Sequence, residues 1–201
     1  MAMNITYEIR DALYINITNR CTNHCVFCVR SKQDGLMPGA SLWLKREPSV
    51  AEVLAAIEKR DMSRYREVVF CGYGEPLSRV YDIIEICKKL KAQYPLPIRI
   101  NTNGQANLLY GKDITPLLAG YVDYISVSLN AKDAYSYQAM CRSEYGEAAF
   151  SGLLAFAERC KKHIPHVALS VVDVLPAEDI ERCREIAGKI GVDFRVRHFV
   201  G

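Results

Sequence analysis

The sequence predicts an α/β fold, a partial TIM-like barrel with six parallel strands, helices on the outside and an open polar lumen. Two observations lead to this prediction. Short β-branched runs alternate six times with amphipathic stretches of helical period, which is the order expected of right-handed crossovers in a parallel sheet. The strands also alternate between apolar and polar residues, whereas a doubly wound sheet, covered by helices on both faces, should be apolar throughout.

The elements follow one another regularly along the chain. Ser49 stands three residues before Glu52, as in a capping box at the start of a helix. Gly191 follows the last helical stretch, where glycine commonly ends a helix. The predicted strands are 12–18, 67–72, 98–103, 122–130, 166–173 and 193–199, and the predicted helices are 49–63, 78–92, 147–162 and 177–190, with shorter helical turns near 106–119 and 132–140.

One face of the strands is polar. In the third strand Ile98 and Ile100 are apolar, whereas Arg99, Asn101 and Asn103 occupy the alternate positions. The first and fourth strands alternate in the same way. Because successive strand residues point to opposite faces, the polar set must line the lumen if helices cover the outside.

Composition sets the limits of the function. A chain of 201 residues, 50% hydrophobic, can bury a core, and one domain over 1–201 is expected. The formal charge of +3 is too small to indicate a nucleic-acid or membrane partner. The start shows no signal-peptide pattern and no run of about 18 apolar residues follows, so a cytoplasmic protein without a membrane partner is expected.

The polar and glycine-rich motifs all follow predicted strands. In parallel α/β barrels the working residues gather at the carboxyl ends of the strands. We therefore expect the six motifs to meet at one mouth. They are CTNHCVFC (21–28), GYGEP (72–76), NTNG (101–104), SLNA (128–131), VVD (171–173) and RHF (197–199).

Three cysteines, Cys21, Cys25 and Cys28, form the first motif. A closed structural zinc site needs four ligands, commonly two separate pairs, and the chain has no second CxxC pair. His24 could complete a local set, but adjacent His24 and Cys25 would share one ion poorly. Three thiolates suit a [4Fe–4S] cluster with one iron left open for a substrate or cofactor. A non-catalytic zinc-binding module remains the alternative.

The first two motifs carry a family resemblance. Cys21, Cys25, Phe27 and Cys28 form CxxxCxΦC, which together with GYGEP after the second strand resembles the signature of radical S-adenosylmethionine (SAM) enzymes. The stretches LYINITNRCTNHCVFCVR, EVVFCGYGEP, IRINTNG, SLNAKDA and CRSEYGE resemble the TatD-associated radical SAM proteins. More distantly, the chain is similar to glycyl-radical-enzyme activases and 7-carboxy-7-deazaguanine synthase. The resemblance spans essentially the whole chain and implies a single radical SAM core domain.

The resemblance implies the cofactors and the chemistry. The three cysteines would hold a [4Fe–4S] cluster, and SAM would bind the open iron. Reductive cleavage of SAM would give a 5′-deoxyadenosyl radical that abstracts hydrogen from a substrate, as an oxidoreductase or lyase, with no catalytic residue assigned beyond the cluster. A flavodoxin or ferredoxin would supply the electron, and a TatD-type nuclease is a further implied partner. An activase-like protein acting on a protein partner is the alternative.

Eleven residues are assigned to SAM. Backbone at two glycines, Gly72 and Gly74, would approach the methionyl group closely, and Glu75 would accept a hydrogen bond from its ammonium. By resemblance, Val172 packs near adenine. The full set is Phe27, Gly72, Tyr73, Gly74, Glu75, Asn103, Ser128, Asn130, Val172, Asp173 and His198.

Arginines indicate the class of substrate. Arg99, Arg195 and Arg197 are predicted inside the lumen, and Arg142 near the mouth. Guanidinium groups match carboxylates and phosphates, so a polar, anionic substrate is expected. Pairing with carboxylates of the chain itself is the competing explanation, because charged groups are seldom buried alone. The candidate partners are Glu67, Glu75 and Asp173.

Cys141 follows the fourth strand in the stretch MCRSEYGE. We place it in a loop over the mouth, where its thiol would donate a hydrogen atom or contact the substrate. The other scattered cysteines within helical patterns are interpreted as small apolar core residues.

Overall fold

The computed structural model describes residues 3–31 and 41–199. In this part of the chain, seven strands form one sheet whose spatial order is the order of the sequence. They are β1 (Thr6–Ile9), β2 (Ala12–Ile15), β3 (Glu67–Phe70), β4 (Ile98–Thr102), β5 (Tyr124–Ser128), β6 (His166–Val172) and β7 (Asp193–Arg197).

Helices separate the strands as predicted. At the start of the first one, the Glu52 amide donates to the Ser49 hydroxyl at 3.2 Å and the Ser49 amide to the Glu52 carboxylate at 2.9 Å, which confirms the capping box. Gly191, with φ of +74°, ends the last one. The helices are α1 (Val50–Glu58), α2 (Val80–Gln93), α3 (Ala106–Tyr110), α4 (Ala134–Cys141), α5 (Ala148–Cys160) and α6 (Ala177–Ile190), with 3-10 turns at Val29–Ser31, Met62–Arg64, Pro76–Arg79 and Thr115–Leu118.

The topology is that of an open barrel wall. Strands β2 to β7 are parallel and each pairs with its neighbour in the sequence. A doubly wound sheet would contain a point where the strand order reverses, and this sheet has none among the described residues. The sheet stays open between β1 and β7. The predicted partial TIM-like barrel of six parallel strands is confirmed.

Strand β1 was not predicted. It pairs antiparallel with β2, with Thr6 opposite Ile15, and a tight turn containing Arg10 at φ of +54° joins the two. Its four residues, TYEI, are too few and too polar to produce a strand signal. The strand extends the sheet beyond the parallel units and brings Tyr7 next to Tyr14.

The two faces of the sheet differ as predicted. Apolar strand residues such as Phe70, Ile100 and Val127 are fully buried in the helix-covered core. Asn16 and Ser170, also buried, lie on the opposite, polar face. The polar face makes a lumen whose mouth lies at the carboxyl ends of β2 to β7. Among the described residues, no helix has the length and apolar character needed to span a membrane.

Candidate functional site

The three cysteines of the first motif lie together in the loop after β2. Cys21, Cys25 and Cys28 are all partly exposed. The Cys28 amide donates to the Cys25 carbonyl at 3.1 Å, and the Asn23 amide donates to the Cys21 sulfur at 3.4 Å. The loop folds back on itself, so Cys25 contributes to raising the pKa of both Cys21 and Cys28.

Burial keeps these thiols protonated in the absence of a metal. Burial raises the pKa of Cys21 to about 12 and raises the pKa of Cys28 as well. The pKa of Cys25 is raised first by a hydrogen bond to the Cys141 thiol and then by burial. Without a metal the thiols therefore keep their protons at neutral pH, and bound iron would replace those protons.

The donor set fits a cluster better than a zinc ion. Within residues 3–31 and 41–199, no three His, Cys, Asp or Glu side chains converge on one metal ion. A structural zinc site requires such convergence, whereas a [4Fe–4S] cluster takes one thiolate for each iron. Three neighbouring cysteines without a convergent fourth ligand match the second arrangement.

Gln105 anchors the cysteine loop, a role that was not predicted from the sequence. The side chain is 1% exposed. Its carbonyl oxygen accepts from the hydroxyls of Thr22 (2.7 Å) and Ser143 (3.0 Å). Its amide nitrogen donates to Asn23 Oδ1 (2.8 Å) and the Tyr137 hydroxyl (2.9 Å). All four hydrogen-bonding positions of this amide are used; its place directly after the NTNG motif was the one available hint.

Cys141 was predicted to lie in a loop over the mouth. In the structure it is instead the last residue of α4 and is 0% exposed. Its carbonyl accepts from the His24 amide at 2.9 Å, and the Met140 carbonyl accepts from the Val26 amide at 2.9 Å. The last carbonyls of a helix lack partners within the helix, so α4 offers them to the cysteine loop. The Cys141 thiol interacts with Cys25 and is buried from solvent.

Close packing requires the two glycines of GYGEP. A Cβ atom on Gly74 would lie 2.4 Å from the Thr18 carbonyl oxygen and 2.6 Å from that of Arg20. A Cβ atom on Gly72 would lie 2.0 Å from Asn16 Oδ1. The chain itself thus occupies the space beside both glycines, and their approach to a methionyl group stays a prediction.

Glu75 joins the ends of β3 and β4. Its Oε1 accepts from the Thr102 hydroxyl (2.7 Å) and the Leu77 amide (3.0 Å), and its Oε2 accepts from the Asn103 amide (2.7 Å). The side chain is 5% exposed, and burial raises the pKa of Glu75 to about 7 although the three donors act in the opposite direction. One acceptor position remains for a further donor, so the predicted ammonium contact is compatible with these bonds.

Other residues assigned to the cofactor surround the same mouth. The Asn103 side chain donates to the Thr22 hydroxyl at 2.9 Å and so touches the cysteine loop. Phe27 packs partly buried against the core, and Tyr73 is 5% exposed. Val172, at the end of β6, is 7% exposed.

Asp173 and His198 bind each other at the rim. His198 Nδ1 lies 2.8 Å from Asp173 Oδ2, and the imidazole is 95% exposed. The Phe199 amide donates to Asp173 at 2.8 Å, and this bond, followed by the His198 contact, lowers the pKa of Asp173. Their predicted contacts with SAM stay predictions.

The arginines predicted to bind substrate lie in three different environments. Arg99 forms a two-pronged ion pair with Glu67 at 2.6 and 3.0 Å, so the competing explanation holds for it. Arg195 is exposed at the open edge, and Arg142 is an exposed residue at the end of α4 with φ of +47°.

Arg197 has no carboxylate within 4 Å among the described residues. One of its nitrogens lies 3.3 Å from the Ser128 hydroxyl and 3.4 Å from Asn130 Oδ1, both at the end of β5. Its Nε is buried without a hydrogen-bond partner, as is Asn16 Oδ1 on the same wall. Burial lowers the pKa of Arg197, and the charges of Arg195 and Arg99 act in the same direction.

Known proteins are similar to this chain over most of its length. A sequence model described as the Radical SAM superfamily matches residues 15–190. GTP 3′,8-cyclase of Lactiplantibacillus plantarum is 28% identical over 175 residues, which are 87% of this chain and 49% of that protein. A probable GTP 3′,8-cyclase of Methanothermobacter thermautotrophicus is 30% identical over 142 residues, 71% of this chain and 42% of that protein.

The fold also matches a solved structure. SuiB of Streptococcus suis, crystallised with S-adenosylmethionine, superposes with a TM-score of 0.66 at 15% identity, covering 93% of this chain and 38% of that one. At this identity the likeness concerns the fold. The chain spans half or less of the length of the curated relatives it matches.

Proposed function

Because this chain belongs to the radical SAM superfamily, whose members use a [4Fe–4S] cluster and S-adenosylmethionine, we propose that it abstracts a hydrogen atom from a polar, anionic substrate bound in the lumen. When bound, the cluster and SAM supply the radical chemistry. The cysteine loop would hold the cluster through Cys21, Cys25 and Cys28. A flavodoxin or ferredoxin of the cytoplasm would supply the electron, and association with a TatD-type nuclease is part of the proposal.

The proposal of an anionic substrate rests on the environment of Arg197. A guanidinium buried without a carboxylate partner is costly unless an anion joins it. Its Nε is unpartnered, and its other contacts are two neutral side chains at 3.3 and 3.4 Å. A carboxylate or phosphate at Nε would complete the coordination in the forked geometry that arginine favours.

The names of similar proteins support one class of anionic substrate. Several curated proteins similar to this chain are named GTP 3′,8-cyclase, and a nucleoside triphosphate carries the phosphates that Arg197 would bind. We therefore place a phosphorylated nucleoside first among the candidate substrates. A glycyl-radical protein partner and a zinc-binding role are the competing outcomes of the tests.

The first test is of the cluster. Anaerobically reconstituted wild-type protein should contain about four irons per chain and, when reduced, should convert SAM to 5′-deoxyadenosine. Cys25→Ala should lose the iron, whereas Cys160→Ala, a buried cysteine in α5, should keep it. Equal iron content in both variants would refute the ligand assignment, and bound zinc would refute the cluster.

The second test is of the anion site. Arg197→Gln should weaken binding of tripolyphosphate and of nucleoside triphosphates about tenfold or more, because a charge-assisted, forked contact is lost. Arg182→Gln, on the exposed face of α6, is the matched control and should bind like the wild type. Calorimetry measures both. Equal affinities of the two variants would contradict the assignment of Arg197.

A further inference from the structure

A thiol at the end of β3 stands on the lumen wall and has no part in the function above. Cys71 follows Phe70, which faces the helices, so the alternation of the strand turns Cys71 toward the lumen. It is partly exposed. The chain's other non-ligand cysteines, Cys87, Cys141, Cys160 and Cys183, are buried.

Tyr7 is in direct contact with Cys71. The Tyr7 hydroxyl donates to the Cys71 carbonyl at 3.2 Å, and the Cys71 thiol is a neighbour of this hydroxyl. Burial, followed by the Cys71 contacts, raises the pKa of Tyr7, which therefore stays a phenol and keeps its O–H bond. A hydroxyl hydrogen rotates to suit its partner, so the phenol can face either the carbonyl or the sulfur.

Two buried polar atoms on the same wall lack a hydrogen-bond partner among the described residues. Asn16, 0% exposed, has an unpartnered Oδ1 that lies beside Gly72, the residue after Cys71. Arg197 has the unpartnered Nε described above and also faces the lumen, in the neighbourhood of Cys71. A substrate whose anionic group completes Arg197 would therefore lie against the Cys71 thiol.

We propose that Cys71 is a hydrogen-atom donor that quenches the substrate radical, and that Tyr7 restores its thiol. This inference rests on the proposed function. It also reassigns a role first given to Cys141, whose thiol is buried against Cys25.

The steps balance as follows. The substrate's carbon radical takes the hydrogen atom of Cys71: a C–H bond forms, the S–H bond breaks and a thiyl radical remains. Tyr7 then gives its O–H hydrogen atom to the sulfur, which re-forms the thiol and leaves a tyrosyl radical. One electron from a low-potential donor, of the flavodoxin or ferredoxin class, and one solvent proton restore the phenol.

Aromatic side chains connect Tyr7 to the surface, where that donor would bind. Tyr7 packs against Tyr14 with ring centroids 5.1 Å apart and shares a buried cluster with Tyr73. Tyr73 contacts Trp43 edge-on at 5.3 Å, and Trp43 is 49% exposed. The electron could therefore pass from surface to phenol through neighbouring rings.

Placement of the thiol is tested on the cluster-free protein. Iodoacetamide should alkylate Cys71 but not Cys87 or Cys160, as read from peptide masses, and tripolyphosphate should protect Cys71. Arg197→Gln should lose this protection. An unreactive Cys71, or alkylation that tripolyphosphate does not slow in the wild type, would overturn the placement beside the anion site.

Hydrogen donation is tested on the reconstituted, reduced enzyme with SAM in D2O, without substrate and without added thiols. A thiol exchanges its hydrogen with D2O whereas C–H groups do not, so quenching by Cys71 puts one deuterium into 5′-deoxyadenosine. The labelled fraction should fall to natural abundance in Cys71→Ala and in Cys71→Ser, whose O–H bond is too strong to give up its hydrogen atom. Cys87→Ala should keep the wild-type fraction.

The outcomes separate the two proposals. Unlabelled 5′-deoxyadenosine from the wild type, or a label that persists in both Cys71 variants, would overturn the hydrogen-donor role alone. Absence of 5′-deoxyadenosine from iron-replete wild type would overturn the proposed function and this inference with it. For Tyr7, a tyrosyl signal in freeze-quenched electron paramagnetic resonance should vanish in Tyr7→Phe; a signal unchanged in that variant would remove Tyr7 from the sequence of steps.

Discussion

Gly74 and Glu75 occupy adjacent positions of one turn and have different physical tasks. Gly74 lets the turn lie against the backbone before the cysteine loop, with two carbonyl oxygens less than 3 Å from where a Cβ atom would be. Glu75 then binds three donors from the turn and β4. Both residues position the cysteine loop relative to the strand ends through contacts within the chain itself.

Gly74→Ala should therefore destabilise the protein and reduce its iron content. The added methyl group meets backbone atoms that cannot rotate away, so a loss of about 1–3 kcal/mol in the free energy of unfolding is expected. Gly188→Ala in α6 is the matched control, because nothing lies within 4 Å of its Cβ position and alanine favours a helix by about 1 kcal/mol. Urea unfolding and iron analysis measure both; a Gly74→Ala protein as stable as the wild type would show that the turn can move.

At the scale of elements, the cysteine loop is held from two sides. Helix α4 offers its last carbonyls to the amides of His24 and Val26. Gln105, at the start of α3, binds hydroxyl and amide groups of the loop and of the segment after α4. The loop with the three predicted metal ligands is thus fixed by two helices, and Gln105 is 82 and 83 residues from the loop residues Asn23 and Thr22 that it binds.

Removal of the Gln105 amide should show how much this support contributes. Gln105→Ala leaves buried donors and acceptors of the loop without partners, which should cost about 3 kcal/mol of unfolding free energy and much of the iron. Gln93→Ala, at the exposed end of α2, is the control and should change neither quantity. If the two variants retain equal iron after reconstitution, the network does not organise the loop.

The order of the strands and helices could be predicted, because hydrophobic periodicity reports it directly. The six parallel strands, the capping box at Ser49 and the helix end at Gly191 are confirmed. Strand β1 could not be predicted, because four polar-rich residues gain strand structure only by pairing with β2. The position of Cys141 was wrong because a helix end and a loop look alike in the stretch MCRSEYGE.

At the scale of the whole molecule, burial of Glu75 couples stability to pH. The pKa of this carboxyl is about 7 in the folded protein, against 4.5 for the free group. Between these two values the folded protein binds more protons than the unfolded chain, so the free energy of unfolding decreases as pH rises. The contribution is present below the lower value and is lost by the upper one.

Glu75→Gln should remove this dependence. Between the two pKa values, the free energy of unfolding of the cluster-free wild type should fall by up to about 3 kcal/mol more than that of the variant. A difference of one in pKa between the folded and unfolded states corresponds to about 1.4 kcal/mol. Glu181→Gln, on the exposed surface of α6, should keep the wild-type dependence. Urea denaturation at a series of pH values measures it, and parallel curves for wild type and Glu75→Gln would contradict the coupling.

The sequence by itself determined the fold class and the family, and it predicted the cysteine ligands and the glycine turn, because each depends on spacing within short segments or on periodicity along them. Tertiary structure decided which lumen arginine lacks a partner, which amide holds the cysteine loop and which thiol faces the lumen. Arg99 and Arg197 occupy similar positions in their strand patterns. Glu67 forms an ion pair with Arg99, whereas Arg197 Nε has no hydrogen-bond partner among the described residues. Such differences depend on which distant residues meet across the sheet, and only the folded chain brings them together.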